Sequence, residues 1–85
     1  MSAAIVDSPA RVLIAAERRP TRARLRLALE RDARCTEAEN ADEAVAAAVR
    51  DRPDVCLLSL KAGSNRMRAT AEIVARVPSV HVIVL

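Results

Sequence analysis

The sequence contains no Phe, Tyr or Trp and only one Gly. Without aromatic rings it has no platform on which unpaired bases stack in single-strand nucleic-acid binders. Its core must be assembled from Leu, Ile, Val and Ala, many small pieces that predict modest stability. Its two cysteines, Cys35 and Cys56, form no C-x-x-C pair and have no His at ligand spacing, which excludes a thiolate metal site or a disulfide framework. Isolated thiols of this kind are expected to stay reduced in a cytosolic protein. A Lys/Arg-led apolar leader and an apolar run of membrane length are both lacking, so neither secretion nor membrane spanning is expected and the cytoplasm is the predicted location.

What remains suits one small domain: 85 residues, 52% hydrophobic, which argues against disorder. A chain this short buries only about 60–65% of its extended surface. The formal charge of +3 is a weak pointer to nucleic acid.

Residues 1–10, MSAAIVDSPA, have no clear period and end in Ser8-Pro9, which predicts a flexible leader. RVLIAA (11–16) is an unbroken apolar run, expected of a strand covered on both faces. A helix follows, with Pro20 at its start or Thr21 as its cap. Leu25, Ala28 and Leu29 form its apolar stripe, and Arg22, Arg24, Arg26 and Glu30 lie mostly away from it. RCTEAE (34–39) predicts a short strand. Asn40 and Glu43 then resemble a capping box, in which Glu43 reaches back to the Asn40 amide. The Ala-rich helix after them stops before Pro53. DVCLLS (54–59) reads as a strand and RMRATAEIVARV as a third helix, with Met67, Thr70, Ile73, Val74 and Val77 in register. VHVIVL (80–85) is the last strand. Strands and helices alternating β-α-β-α-β-α-β predict an α/β fold with a parallel sheet and right-handed crossovers.

In that order, RVLIAAERRPTRARLRLAL, EAENADEAV, RPDVCLLSL and VHVIVL resemble the receiver domains of bacterial response regulators, especially those of transcription-factor type, from about Arg11 onward. The resemblance implies a flavodoxin-like, doubly wound sheet with strand order 2-1-3-4 and its site at the carboxyl ends of the first and third strands. It also implies a domain incomplete after the fourth strand, since a full receiver continues with a fourth helix, a fifth strand and a fifth helix.

Receivers place two acids after the first strand and a phosphoacceptor aspartate at the end of the third, around a Mg²⁺ ion held by carboxylates and water. Those acid positions fall here on Ala16 and Glu17, and the phosphoacceptor position falls on Ser59. A single carboxylate, Glu17, is left. No useful Mg²⁺ affinity and no cofactor are therefore expected. Arg18 and Arg19 are candidate pocket cations, able to pair with Glu17 or to point into solvent. Gly63 is placed to supply a positive φ after the third strand. His81 is expected too early on its strand to activate Ser59, and no G-x-S-x-G elbow surrounds that serine.

A strand at 80–85 with nothing beside it exposes an apolar edge, Val80, Val82, Val84 and Leu85, which predicts self-association as an isologous dimer through that strand or the bare sheet face. Cys35 and Cys56 would lie on strands separated by the first, roughly 9–10 Å apart, too far for a disulfide.

The leading expectation is a non-catalytic signalling module, an atypical receiver cut from a DNA-binding regulator. Its partners would be itself and other regulatory proteins, with DNA reached only through a domain not present here. A second reading is a nucleic-acid binder using Arg18, Arg19, Arg22, Arg24 and Arg26, set against a charge-laced, solvated helix face. A small enzyme built on Ser59 is the weakest reading, for want of a base.

Overall fold

The computed structural model describes residues 9–85. The elements run β1 (Ala10–Ala16), α1 (Arg19–Leu29), β2 (Ala33–Ala38), α2 (Ala41–Asp51), β3 (Val55–Ser59), α3 (Ser64–Arg76) and β4 (His81–Val84). All neighbouring strands are parallel and the sheet order is β2-β1-β3-β4. This is the doubly wound arrangement expected from the sequence. The leader expected over 1–10 lies mostly outside the described residues, and Ala10 already belongs to β1.

Cross-strand pairing fixes which side chains share a face. Leu13 and Ala15 stand opposite Cys56 and Leu58, which stand opposite Val82 and Val84. This face meets α2 and α3 and forms the main core with Ala44, Ala48, Ile73 and Val77, all at most 1% exposed. The other face carries Val12, Ile14, Val55, Leu57 and Ile83 in the same register. Val12 and Ile14 are buried there, Val55 and Leu57 only half so, and Ile83 is exposed.

α1 is a thin cover. None of its residues is fully buried: Leu25 and Leu29 are half-buried, Ala28 is exposed and Leu27 is 76% exposed. The predicted stripe is present but shallow, because α1 packs mainly on β1 and β2. Pro20 sits in its first turn, where its missing N–H costs nothing. Thr21 lies inside the helix and caps nothing.

α2 starts at Asn40, whose side chain accepts from the Glu43 amide at 2.8 Å. The reciprocal half of the capping box is displaced by one residue, since Glu43 accepts from the amide of Glu39 and not of Asn40. α2 ends at Arg52 in the left-handed region, φ 49°, consistent with Pro53 disfavouring helical geometry in the residue before it.

α3 departs further from expectation. Its buried stripe is Ala69 and Ile73, continued by Val77, whereas Met67 and Val74 are 72% and 49% exposed. Val80 likewise is no part of an exposed edge. It precedes β4 and is buried in the core, held by its amide's bond to the Val77 carbonyl oxygen before the ladder begins at His81. Val82 is half-buried against the core, so the exposed apolar residues of this edge are Ile83, Val84 and Leu85.

Both cysteines are free. Cys35 pairs in register with Val12 and Cys56 with Leu13, so they lie on opposite faces as well as two strands apart. Burial pushes the Cys56 thiol up to about 11, which makes it an inert core residue.

Candidate functional site

Side chains that end adjacent parallel strands are brought together at the carboxyl edge of the sheet, where the helix connections leave room for a site. Ala16 and Ser59 are partners in the β1–β3 ladder and so occupy neighbouring positions on one face at that edge. Ala16 is fully buried and Ser59 half-buried. Glu17, the next residue, extends over the β3–α3 connection, where its Oε1 accepts from the Lys61 amide at 3.2 Å. A cavity of about 280 Å³ opens beside it, lined by Glu17, Lys61 and the turn from Ala62 to Asn65. Gly63 caps α3 with φ 144°, a conformation that residues with a Cβ rarely adopt, although there is open space around the position.

The expected residues therefore do converge, but their chemistry does not suit a divalent ion. A methyl, a hydroxyl and one carboxylate already occupied by a backbone amide make a poor shell for a hard cation that requires oxygen anions. Among the described residues no cluster of three or more His, Cys, Asp or Glu side chains is placed to hold a metal. Nor does His81 approach Ser59. His81 pairs with Val55 at the opposite end of β3, four residues away, or roughly 13 Å along the strand.

Arg18 and Arg19 are exposed, and neither forms an ion pair with Glu17 among the described residues. The arginine that turns inward is Arg22, one helical turn further on. Its Nη1 donates to the carbonyl oxygens of Ala16 at 2.8 Å and Glu17 at 3.3 Å. Its Nε donates to Glu37 at 3.3 Å, and Nη2 lies 3.9 Å from Glu39. The side chain, 12% exposed, thus ties the ends of β1 and β2 together. The sequence reading placed Arg22 away from the apolar stripe and so in solvent. The available signal was the pair of acids Glu37, on β2, and Glu39, just after it, which the sheet order sets near the end of β1.

Arg26 joins this cluster, donating to Glu37 Oε2 at 2.7 Å. The nucleic-acid reading thereby loses two of its five arginines to internal acids. The same bond holds the Glu37 carboxyl below its ordinary value of 4.5, with Arg22 adding to the effect against a smaller cost of burial. A group whose pKa is depressed on folding stabilises above its unfolded value, and that contribution fades as pH falls through the folded one. Stability should therefore drop on acidification below about pH 4.5. Glu37→Gln should lower the urea midpoint at neutral pH and flatten this acid limb. An unchanged acid limb in the variant would refute the assignment.

No helix among the described residues is long and apolar enough to cross a membrane. No family model matches the sequence, and no curated protein matches it. Among solved structures the chain is similar to the response regulator domain of Thermotoga maritima CheB, with a TM-score of 0.79 and 24% identity. The match covers 89% of this chain and 59% of that one. The four parallel strands in order β2-β1-β3-β4 with their three helices agree with it. The chain has the flavodoxin-like α/β fold of a response-regulator receiver domain.

Proposed function

We propose that this chain is a receiver-type signalling module that does not accept a phosphoryl group at Ser59 and works through protein contacts alone. The observation that carries this reading is the position pairing of Ala16 with Ser59, beside a Glu17 whose carboxylate is bound to the Lys61 amide. Phosphoryl transfer to a receiver needs an anionic acceptor and a metal to neutralise the developing charge. A neutral hydroxyl with no metal shell supplies neither. The arginine clamp from Arg22 to both strand ends supports the same reading, since it gives this edge a fixed, internally satisfied arrangement. In such a module the output is the surface itself. A carboxyl-terminal DNA-binding partner domain, as in transcription-factor receivers, belongs to this proposal on resemblance alone.

The test is incubation with acetyl phosphate and Mg²⁺ followed by intact-mass measurement. The mass should stay unchanged over hours. A phosphoryl adduct mapped to Ser59 would defeat the reading.

A further inference from the structure

The amino-terminal ends of β1 and β2 meet the carboxyl-terminal end of α2 around a cavity of about 370 Å³. Its walls are Arg11 of β1, Arg34, Cys35 and Thr36 of β2, and Arg50 and Asp51 of α2. β1 and β3 lie between β2 and β4, so this corner belongs to the side of the sheet away from β4.

Arg11 and Arg34 are partners in the β1–β2 ladder, on strands about 4.8 Å apart, so their charges repel. Discouraging a further strand at the sheet edge accounts for Arg34 alone, because β1 is flanked on both sides. Arg50 stands in the last turn of α2, where a cation suits the helix carbonyls, yet it also brings a third positive charge to the same cavity.

Acceptors there are fewer than donors. Asp51 supplies the one carboxylate of the lining, and Arg50 takes both its oxygens, from Nε at 2.9 Å and Nη2 at 3.0 Å. Arg11 Nη1 donates to the Asp51 carbonyl oxygen at 3.1 Å, and its other guanidinium nitrogens are unspent among the described residues. Asp54 accepts from the Arg11 backbone amide at 2.8 Å and does not line the cavity. The Arg34 side chain makes no ion pair or hydrogen bond among the described residues. Three guanidiniums against one carboxylate leave two positive charges unanswered in one concave space.

We propose that this cavity binds a small soluble phosphate compound carrying at least two negative charges, held by Arg34 with Arg11, Arg50 and the Thr36 hydroxyl. A planar carboxylate is satisfied by one guanidinium, as Asp51 is by Arg50. Donors arriving from two strands and a helix suit a tetrahedral anion that accepts from several directions. The volume falls at the lower end of the about 300–1,000 Å³ of small-molecule sites. No aromatic or branched apolar side chain lines it, so nothing there would hold a base or an acyl chain. The arginines are exposed and screened by salt, which sets a dissociation constant on the order of 0.1–1 mM. The site lies at the opposite end of the sheet from Ser59 and does not depend on how that serine is read.

Pyrophosphate without Mg²⁺ is the probe, titrated into the full chain by isothermal calorimetry. Arg34→Gln should weaken binding about fivefold to tenfold. Arg24→Gln, which removes the same charge from an exposed position on α1, should leave binding nearly unchanged. Melting followed by circular dichroism separates a ligand site from a structural role. Without the anion, Arg34→Gln should melt at or above the wild-type temperature, since its repulsion with Arg11 is gone. With pyrophosphate at tenfold over its dissociation constant, the wild type should gain about 5 °C or more and the variant far less. No binding at ten times the weaker of those constants, equal loss in the two variants, or an Arg34→Gln protein that melts well below wild type without the anion would each overturn the proposal. Citrate binding as tightly as pyrophosphate would overturn the choice of phosphate. Duplex DNA that displaces pyrophosphate and depends equally on Arg24 would overturn the site in favour of a diffuse basic surface.

Discussion

Replacing Leu58 with alanine is expected to remove most of this domain's stability. Leu58 is fully buried in β3, opposite Ala15 on one side and Val84 on the other, within the core that α2 and α3 cover. Removing such a side chain costs the lost transfer free energy plus that of the cavity, about 2–5 kcal/mol in total. The upper half of that range is the expectation here. The neighbouring core is rich in Ala15, Ala44 and Ala48, whose methyls have no rotamers with which to fill a void. A domain of this length holds only about 4–13 kcal/mol in all. Urea titration followed by circular dichroism should show a much lower midpoint or a lost transition. Leu27→Ala, at a position 76% exposed, should move stability by no more than about 0.5 kcal/mol. Equal midpoints for the two variants would mean that the core is not where the structure places it.

Restoring the missing carboxylates should make the protein sensitive to Mg²⁺. The wild type is expected to melt at the same temperature in Mg²⁺ and in chelator. With Ala16→Asp and Ser59→Asp together, three acids crowd one edge of the sheet, counting Glu17. Their mutual repulsion, and the burial of Ala16, should lower the melting temperature in chelator. Added Mg²⁺ should then recover part of the loss. Ligand at tenfold over its dissociation constant contributes about 1.4 kcal/mol, roughly 5–10 °C for a domain of this size. Ser59→Asp alone keeps the buried methyl of Ala16 and should show a smaller response, which guards against the double variant failing to fold. The present reading of the site fails if Mg²⁺ stabilises the wild type, or if neither variant responds while both remain folded.

Much of the architecture was legible because local signals agreed with one another. RVLIAA and DVCLLS lack any alternation, as strands covered on both faces must, and three amphipathic segments stand between four strand segments. Pro53 and Asn40 mark boundaries through backbone sterics and hydrogen bonding within a few residues, so no tertiary knowledge is needed to place them. The resemblance to receivers implies that two of their acid positions fall on Ala16 and Ser59, and the structure sets these two opposite each other at the ends of paired strands.

The misreadings share a different character. On α3 the periodicity admits Met67 and Val74 alongside Ile73 and Val77, and nothing in a helical repeat says which of two adjacent stripes faces the domain's own sheet. Val80 is as apolar as Val84, yet one lies in the core and the other is exposed. Arg22 was indistinguishable from Arg18 and Arg19 until the pairing of β2 with β1 brought Glu37, and Glu39 just after the strand, within its reach.

Sequence alone determined the elements and their order, since backbone preference and side-chain period are properties of neighbours along the chain. Only the tertiary structure decided which arginine is tied down, which stripe of α3 is buried and that Val80 lies in the core. Each of these depends on residues far apart in sequence being set against one another by the crossover of the sheet, and a one-dimensional pattern carries no record of that.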